Sequence, residues 1–302
     1  MAVTRVVVLR NLGLGDLLTG IPALRALRRT FAGHEVVLVA PEVLAPLAEL
    51  SGAVDRVTAA MPVDSPHVAV NLHGRGPESH RLVLAARPRR LVAFEHAEIP
   101  ESRGMPSWRP DEHEVARWCR LLDETGIPAD PHDLRLDVEL FGPPGATLIH
   151  PGAASGSRRW PAERFAAVAR AERELGREVV VTGGPDEVGL ARTVADHAGL
   201  PDRAVYAGTT SVTELAGLVA AAGRVVCGDT GVAHLATAVG TPSVVLFGPI
   251  APGHWGPPPS PKHRALWAGL PGDPHAQDIH AGLLAIDVCY VLAELERLEA
   301  AA

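Results

Sequence analysis

The sequence is poor in lysine, cysteine and aromatic residues. Lys262 is the only lysine, although Lys and Arg together number 28. Acidic residues outnumber them and give a net charge of −7 at pH 7, which argues against a general nucleic-acid-binding surface. The cysteines lie far apart and match neither a metal-binding spacing nor an even set of disulfides, which indicates a reducing compartment. They are Cys119, Cys227 and Cys289.

Long apolar runs are also missing. No stretch is long enough to cross a bilayer, and the apolar part of MAVTRVVVLRN is too short for a signal peptide. We therefore expect a cytoplasmic protein, with peripheral attachment to a membrane as the alternative. At 302 residues the chain is too long for one ordinary core and suits two domains.

Short apolar strands alternate with helical stretches in two successive series. The predicted strands are 5–10, 35–40, 54–60, 67–72, 89–94, 146–152, 178–184, 224–229 and 242–248. Pro22 predicts a kink in the first helix, or a new helix start behind a Thr19 cap. The alternation implies parallel sheets with right-handed crossovers, and hence an α/β protein of two Rossmann-like domains. The predicted parts are domains 1–143 and 144–280, and a C-terminal helix in 281–302 that packs back on the first domain.

Ligands of such sheets bind beyond the carboxyl ends of the strands, so the loops that leave strands are informative. The first, NLGLGDLLTG, begins like a dinucleotide fingerprint with Gly13 and Gly15. Leu18 occupies the place of the third glycine, and Asp16 puts a negative charge where a pyrophosphate would dock. These departures exclude nicotinamide binding. On this loop alone, a helix N-cap is the favoured role of Asp16.

Three later loops carry groups that suit a phosphorylated ligand. In HPGAASGSRRWP, Arg158 and Arg159 precede a helix, where a cation is disfavoured unless an anion offsets it. In CGDTGVAHLATAVG, a buried strand leads to the Thr230 hydroxyl and to backbone N–H groups at a helix start, which suit a diphosphate. In VTGGPDEVG, Glu187 is suited either to ribose hydroxyls or to the helix dipole.

Together these segments resemble glycosyltransferase family 9, the ADP-heptose heptosyltransferases of lipopolysaccharide core synthesis and their relatives. The matching motifs follow the family order: RNLGLGDLLTGIPALRALRR, NLHG, HEVARWCRLL, HPGAASGSRRWPAERF, VVVTGGPDE and GDTGVAHLATAVGTPSVVLFGP. The resemblance implies a GT-B fold, with two Rossmann-like domains facing across a cleft. It also implies an acceptor on the first domain, a nucleotide sugar on the second, and inverting transfer without a metal or other cofactor.

The resemblance also implies residue roles. Asp16 matches the family's catalytic base, and Arg158 replaces a lysine that contacts the nucleotide in many members. Ala153 and Ala154 replace hydroxyl residues of some members, so contact there would come from the backbone. The implied donor-binding residues are Gly15, Gly152, Ala153, Arg158, Glu187, Asp229, Thr230, Gly231 and His234. The candidate acceptor-binding residues, for which solvated or helix-capping roles are equal alternatives, are His73, Arg75, His113 and Arg117.

Inverting transfer is one in-line displacement at the anomeric carbon. It needs one base for the acceptor hydroxyl and stabilisation of the departing diphosphate, so a single carboxylate suffices, unlike the pair used in glycoside hydrolysis. We expect a nucleotide-sugar substrate, ADP-heptose, and a saccharide, natural-product or glycolipid acceptor. The alternatives are a GT-B enzyme of another chemistry, such as a sugar-nucleotide epimerase, and a non-catalytic module that binds nucleotide sugars.

Overall fold

The computed structural model describes residues 4–62 and 64–300. The chain divides into two compact units, Met1–Leu136 and Asp137–Ala302, whereas the sequence predicts a division between 143 and 144. Each unit contains a parallel five-stranded sheet with helices between the strands. This confirms the predicted α/β class with two Rossmann-like domains.

The sheet of the first unit has the strand order β3-β2-β1-β4-β5. Its strands are β1 Arg5–Leu9, β2 Glu35–Val39, β3 Arg56–Thr58, β4 Val68–Asn71 and β5 Arg90–Val92. Its helices are α1 Leu14–Thr30, α2 Ala45–Leu50, α3 Glu78–Ala85 and α4 Glu114–Glu124. Strands β1, β2 and β4 are continuous Val-rich runs with almost no exposure, as expected of parallel strands covered on both faces.

Helix α1 runs through Pro22 without a break. The predicted new start behind a Thr19 cap is therefore wrong. Thr19 lies inside the helix, where its hydroxyl donates to the carbonyls of Gly15 at 3.0 Å and Asp16 at 3.1 Å.

The sheet of the second unit has the order β10-β9-β8-β6-β7. Its strands are β6 Thr147–His150, β7 Val179–Val181, β8 Arg224–Gly228, β9 Ser243–Phe247 and β10 His263–Trp267. Its helices are α5 Ala162–Glu174, α6 Val188–Ala198, α7 Val212–Ala221, α8 Gly231–Val239, α9 Pro252–Trp255, α10 Ala281–Leu284 and α11 Val288–Ala300.

The C-terminal helix α11 belongs to the second unit, where it packs against α5, β9 and β10. Its buried residues Val291, Leu295 and Leu298 join the apolar core formed with α5 and α6. These contacts lie within the second unit, and the expectation that the helix also packs back on the first domain stays a prediction. The last residues of the predicted segment, 301 and 302, lie outside the described residues.

In both sheets the strand order reverses at one inner strand. From β1 the chain continues to β2 and β3 on one side and then places β4 on the other. From β6 it continues to β7 on one side and then places β8 on the other. Ligands of open α/β sheets bind where the strand order reverses, beyond the carboxyl ends of the strands. The fold therefore directs attention to the loops after β1 and β4, and after β6 and β8.

Candidate functional site

The loop after β1 places Asp16 in the first turn of α1. The residue that caps this helix is Gly13, and Asp16 lies three residues further on. Its Oδ2 accepts a hydrogen bond of 3.2 Å from the Gly13 N–H. Asp16 therefore occupies the acidic position of a capping box rather than the predicted N-cap. The cap fixes Oδ2, whereas Oδ1 takes no part in this hydrogen bond.

Beneath this loop the guanidinium of Arg10 is completely buried. It donates to the backbone carbonyls of Asp16 and Leu72, and to the Thr19 hydroxyl at 2.9 Å. It also donates to Oε1 of Glu114 at 3.1 Å. These five residues form the Arg10 network. Because Leu72 follows β4, the network joins the two loops at the point where the strand order reverses.

Glu114, at the start of α4, is the buried counter-charge of this network. Its Oε1 also accepts from the Trp118 indole N–H at 2.7 Å, and Oε2 accepts from Arg117. The Arg10 guanidinium lies 5.1 Å from the centre of the Trp118 ring. Since a buried charge must be paired and hydrogen-bonded to be tolerated, these contacts explain how Arg10 remains charged in the core.

The surroundings perturb the acidity of Asp16. Burial raises the pKa of its carboxyl group above the ordinary 3.8, Arg10 opposes this rise, and Glu114 adds to it. Arg10 Nη2 lies 3.8 Å from Asp16 Oδ1, longer than a hydrogen bond. Asp16 is thus a partly desolvated carboxylate whose charge is stabilised at a distance, and its side chain is 25 % exposed.

His73 lies in the loop after β4 and within the electrostatic reach of Asp16. Its backbone N–H donates to Asn71 Oδ1 at 3.0 Å, which fixes the start of this loop. Burial lowers the pKa of the imidazole, Arg10 lowers it further, and Asp16 opposes the change. Its Nδ1 is buried without a hydrogen-bond partner among the described residues. His73 is therefore a neutral ring with unused hydrogen-bonding capacity.

In the second unit, Glu187 lies over the loop that leaves β6. Glu187 is the last residue of the 3₁₀ turn Pro185–Glu187. Its Oε2 accepts a hydrogen bond of 2.8 Å from the N–H of Gly184, the residue before this turn. A Cβ atom at Gly152 would overlap the carboxylate, so only glycine leaves room for it. His150, the last residue of β6, is buried beside it, and its Nε2 lies 3.9 Å from Glu187 Oε2.

Arg158 connects the loop after β6 to the end of β8. Its Nε donates to the Asp229 carbonyl at 3.0 Å, and Nη2 donates to the same oxygen. Nε lies 3.5 Å from the Asp229 carboxylate. Burial raises the pKa of the Asp229 carboxyl, and Arg158 partly offsets this. The positive charge is thus held at the point where the strand order of the second sheet reverses.

Helix α8 begins directly after this pair. Its N-cap is Thr230, whose hydroxyl accepts from the Val232 N–H at 3.2 Å, so Asp229 is not the cap. Gly231 is the first helical residue, and the His234 ring packs edge-on against Trp255 with 5.8 Å between the ring centres. The positive end of a helix and a fixed guanidinium together suit a diphosphate.

Comparison with known protein families gives one match. Residues 90–280, more than half of the chain, match the model of glycosyltransferase family 9 (heptosyltransferase). The chain belongs to glycosyltransferase family 9. The matched segment contains the second-unit site described above and the α4 residues of the Arg10 network.

Individual relatives of family 9 extend the likeness. Lipopolysaccharide heptosyltransferase 3 of Escherichia coli is 35% identical over 124 residues, which cover 40% of this chain and 36% of that protein. The chain covers less than half the length of the curated relatives that it matches.

Solved structures of the family share the whole fold. A family 9 glycosyltransferase from Veillonella parvula has a TM-score of 0.79 and 20% identity over 99% of this chain and 98% of its own. The E. coli ADP-heptose lipopolysaccharide heptosyltransferase II has a TM-score of 0.78 and 20% identity over 99% and 100%. These likenesses show the GT-B fold that the motifs imply.

The predicted donor residues of this family 9 chain gather at the carboxyl edge of the second sheet, with one exception. Gly15 lies in the first unit, where its carbonyl accepts from Thr19. The Ala153 carbonyl accepts from Arg159 Nε at 2.9 Å, so this carbonyl is already engaged. The roles assigned to these residues stay predictions.

Two of the predicted acceptor residues, His113 and Arg117, have structural roles, and a third, Arg75, is exposed. His113 caps α4 by accepting the Val115 N–H at 3.3 Å, which supports the helix-capping alternative. Arg117 is buried and donates to Glu114 and to backbone carbonyls, so it is part of the core around the Arg10 network. Arg75 is exposed and lines a pocket of about 470 Å³. The other residues around this pocket are Gly76, Pro77, Glu95, His96, Trp108 and Pro110.

Sequence reasoning did not single out Arg10, Glu114 or His150. Arg10 and Glu114 are distant in sequence, and only the packing of α4 brings them together. An arginine at the end of a run of valines gives a weak signal of burial. His150 stands in the HPG segment and is the last residue of its strand.

The described part of the chain lacks two further features. Residues 4–62 and 64–300 contain no group of three or more His, Cys, Asp or Glu side chains placed to hold a metal ion. Within the same ranges, no helix has both the length and the apolar character needed to span a membrane.

The Arg10 network predicts a steric effect at Gly20. A Cβ atom there would lie 2.9 Å from both Cδ and Nε of Arg10, which is buried and cannot swing away. We expect Gly20→Ala to lower the free energy of unfolding by about 1–3 kcal/mol in chemical denaturation. The matched control is Gly189→Ala in α6, where a Cβ meets nothing within 4 Å and should stabilise by up to about 1 kcal/mol. Equal effects of both substitutions would contradict the tight packing.

The raised pKa of Asp16 predicts that its charge lowers stability. Above its folded pKa the ionised carboxylate opposes folding, and below 3.8 it is neutral in both states. We expect Asp16→Asn, which can still accept the Gly13 N–H, to raise the free energy of unfolding at pH 7. The gain should shrink as the pH falls through the folded pKa, measured by denaturation at several pH values.

A matched control for this effect is Glu214→Gln, at the same capping-box position of α7. Its hydrogen bonds from Ser211 lower the pKa of Glu214, so its charge favours folding above 4.5. We expect Glu214→Gln to reduce stability at pH 7, with the opposite dependence on pH. A loss of stability at pH 7 in Asp16→Asn would overturn the sign deduced for Asp16.

Proposed function

We propose that this family 9 member is an inverting, metal-independent glycosyltransferase that moves heptose from ADP-heptose to an acceptor hydroxyl. The observation that carries the proposal is Asp16, a carboxylate with a raised pKa at the carboxyl edge of the first sheet. Its backbone is fixed from below by Arg10. A module that only bound a nucleotide sugar would gain nothing from a desolvated carboxylate.

Asp16 has the properties of a general base. The raised pKa makes the carboxylate more basic, while the Arg10 charge opposes its protonation. In the proposed step the acceptor oxygen attacks the anomeric carbon, the bond to the diphosphate breaks, and the hydroxyl proton passes to Asp16. His73 and Arg75, in the loop after β4, are the proposed contacts for the acceptor.

The leaving group of this step is ADP, whose diphosphate gains negative charge as the bond breaks. Arg158, the Thr230 hydroxyl and the N–H groups at the start of α8 are positioned to stabilise that charge. A fixed guanidinium and a helix end can supply the electrostatic stabilisation that a metal ion supplies in other enzymes, and this supports metal independence.

The names of the relatives support the choice of donor and acceptor. The matched curated proteins are named heptosyltransferases of lipopolysaccharide or lipooligosaccharide, and one solved relative is named for ADP-heptose. We therefore propose ADP-heptose as donor and a saccharide as the acceptor class. Glu187 is the proposed partner of the ribose hydroxyls. A cytoplasmic or membrane-peripheral location follows from a nucleotide-sugar donor.

Replacing Asp16 tests the base. We expect Asp16→Asn to lower kcat by about 10²- to 10⁴-fold, because the amide cannot accept the proton. Binding of ADP, measured by calorimetry, should be retained. The matched control is Glu78→Gln, an exposed acid in the first turn of α3, which should leave kcat unchanged. Transfer by Asp16→Asn at a rate close to wild type would refute the mechanism.

The stereochemistry of the product tests the single displacement. We expect the glycosidic bond to have the opposite anomeric configuration to the donor, as determined by NMR of the purified product. A chelator such as EDTA should leave the rate unchanged. Retention of configuration would exclude the single displacement, and a rate that EDTA abolishes and Mg²⁺ restores would exclude metal independence.

A further inference from the structure

His150 ends β6 inside the second-unit site, and the mechanism above does not use it. The residue is buried, and its Nδ1 lies 3.0 Å from the Thr182 hydroxyl oxygen, at the end of the neighbouring strand β7. The two residues are joined at the same edge of the sheet as Gly152 and Glu187.

The contacts of Thr182 decide which ring nitrogen carries the proton. The hydroxyl has a single hydrogen, and its distance to the Ile149 carbonyl is 3.5 Å against 3.0 Å to His150 Nδ1. The Ile149 carbonyl lies at the long limit for a hydrogen bond from this hydroxyl and already accepts the Thr182 N–H at 2.9 Å, so we assign the hydroxyl hydrogen to His150 Nδ1. Burial lowers the pKa of His150 and the Glu187 carboxylate opposes this change, so the net lowering favours the neutral ring. A neutral ring that accepts at Nδ1 carries its hydrogen on Nε2.

The Nε2–H group is directed at Glu187 across a gap. Nε2 and Oε2 lie 3.9 Å apart, too far for a direct hydrogen bond. The Gly184 N–H fixes the carboxylate, and the missing side chain at Gly152 lets the carboxylate pack against the loop that leaves β6. A hydroxyl oxygen about 2.8 Å from both atoms would subtend an angle of about 90°. Such a hydroxyl would accept from Nε2 and donate to the carboxylate, which satisfies all three groups.

We propose that His150 and Glu187 together bind one ribose hydroxyl of the nucleotide, so that His150 determines specificity for ribonucleotides. The inference rests on the proposed function, because it presumes a nucleotide in this unit. A hydroxyl that both accepts and donates fits the pair, and a CH₂ group leaves both polar groups unpaired. Loss of such a pairing costs enough to give about a tenfold preference or more.

The test compares the binding of ADP, 2′-deoxy-ADP and 3′-deoxy-ADP by calorimetry. We expect the wild-type protein to bind ADP about tenfold more tightly than one of the deoxy analogues. In His150→Leu, ADP binding should weaken about tenfold while the weaker deoxy analogue changes little, so that the preference disappears. The donor KM should rise with little change in kcat. His150→Gln, which retains an N–H donor, should keep part of the preference.

The matched control is His263→Leu. His263 pairs with the Ser243 hydroxyl at 2.9 Å, in the same sheet but at the starts of β9 and β10. This variant should keep both affinity and preference. A preference that survives in His150→Leu, or equal weakening of all three nucleotides, would overturn the inference. If His150→Leu does not fold, loss of the preference in His150→Gln would overturn it instead.

The same measurements separate this inference from the proposed function. If the wild-type protein binds none of the three nucleotides, the ADP-heptose proposal fails. If it binds ADP and both deoxy analogues equally, the donor proposal stands and the role of His150 is wrong. A bridging water that no ligand replaces would give this second result.

Discussion

The first-unit site depends on the burial of one positive charge. Arg10 is fully buried, yet it donates to groups directly after β4, on α1 and on α4. Burying a guanidinium without such partners would cost far more than one domain can recover. The charge therefore requires Glu114 from α4, and it requires the absence of a side chain at Gly20. Together these contacts fix the position and orientation of the loop that carries Asp16.

The second unit also has an arginine where the strand order reverses, Arg158, but this one is less buried than Arg10. Arg158 also connects the two loops at which the strand order reverses, and it also donates to a backbone carbonyl of the neighbouring loop. Its side chain is 23 % exposed, however, and its carboxylate neighbour Asp229 lies on the adjacent strand end. Arg10 is buried and stabilises the backbone around it, whereas Arg158 is partly exposed and can contact an anion.

Sequence patterns predict the parallel sheets and the loops well, because buried parallel strands are continuous apolar runs and because glycine and acidic residues mark helix starts. Pro22 misleads this kind of reasoning, because α1 continues through it from Leu14 to Thr30. Arg10 and His150 are missed for another reason. Each acts through residues that only the tertiary fold brings near, Glu114 and Leu72 for the first and Thr182 for the second.

The caps of the two loops show why helix capping and chemistry are compatible roles. Asp16 reaches back to the N–H of Gly13, and Glu187 reaches back to the N–H of Gly184, each over three residues. In both cases Oδ2 or Oε2 is fixed by the cap, which removes rotational freedom from the whole carboxylate. A carboxylate that is already oriented loses less entropy when it binds a ligand hydroxyl. The cap therefore orients the carboxylate in advance, and the helix-capping role of Asp16 is compatible with the proposal that it acts as a base.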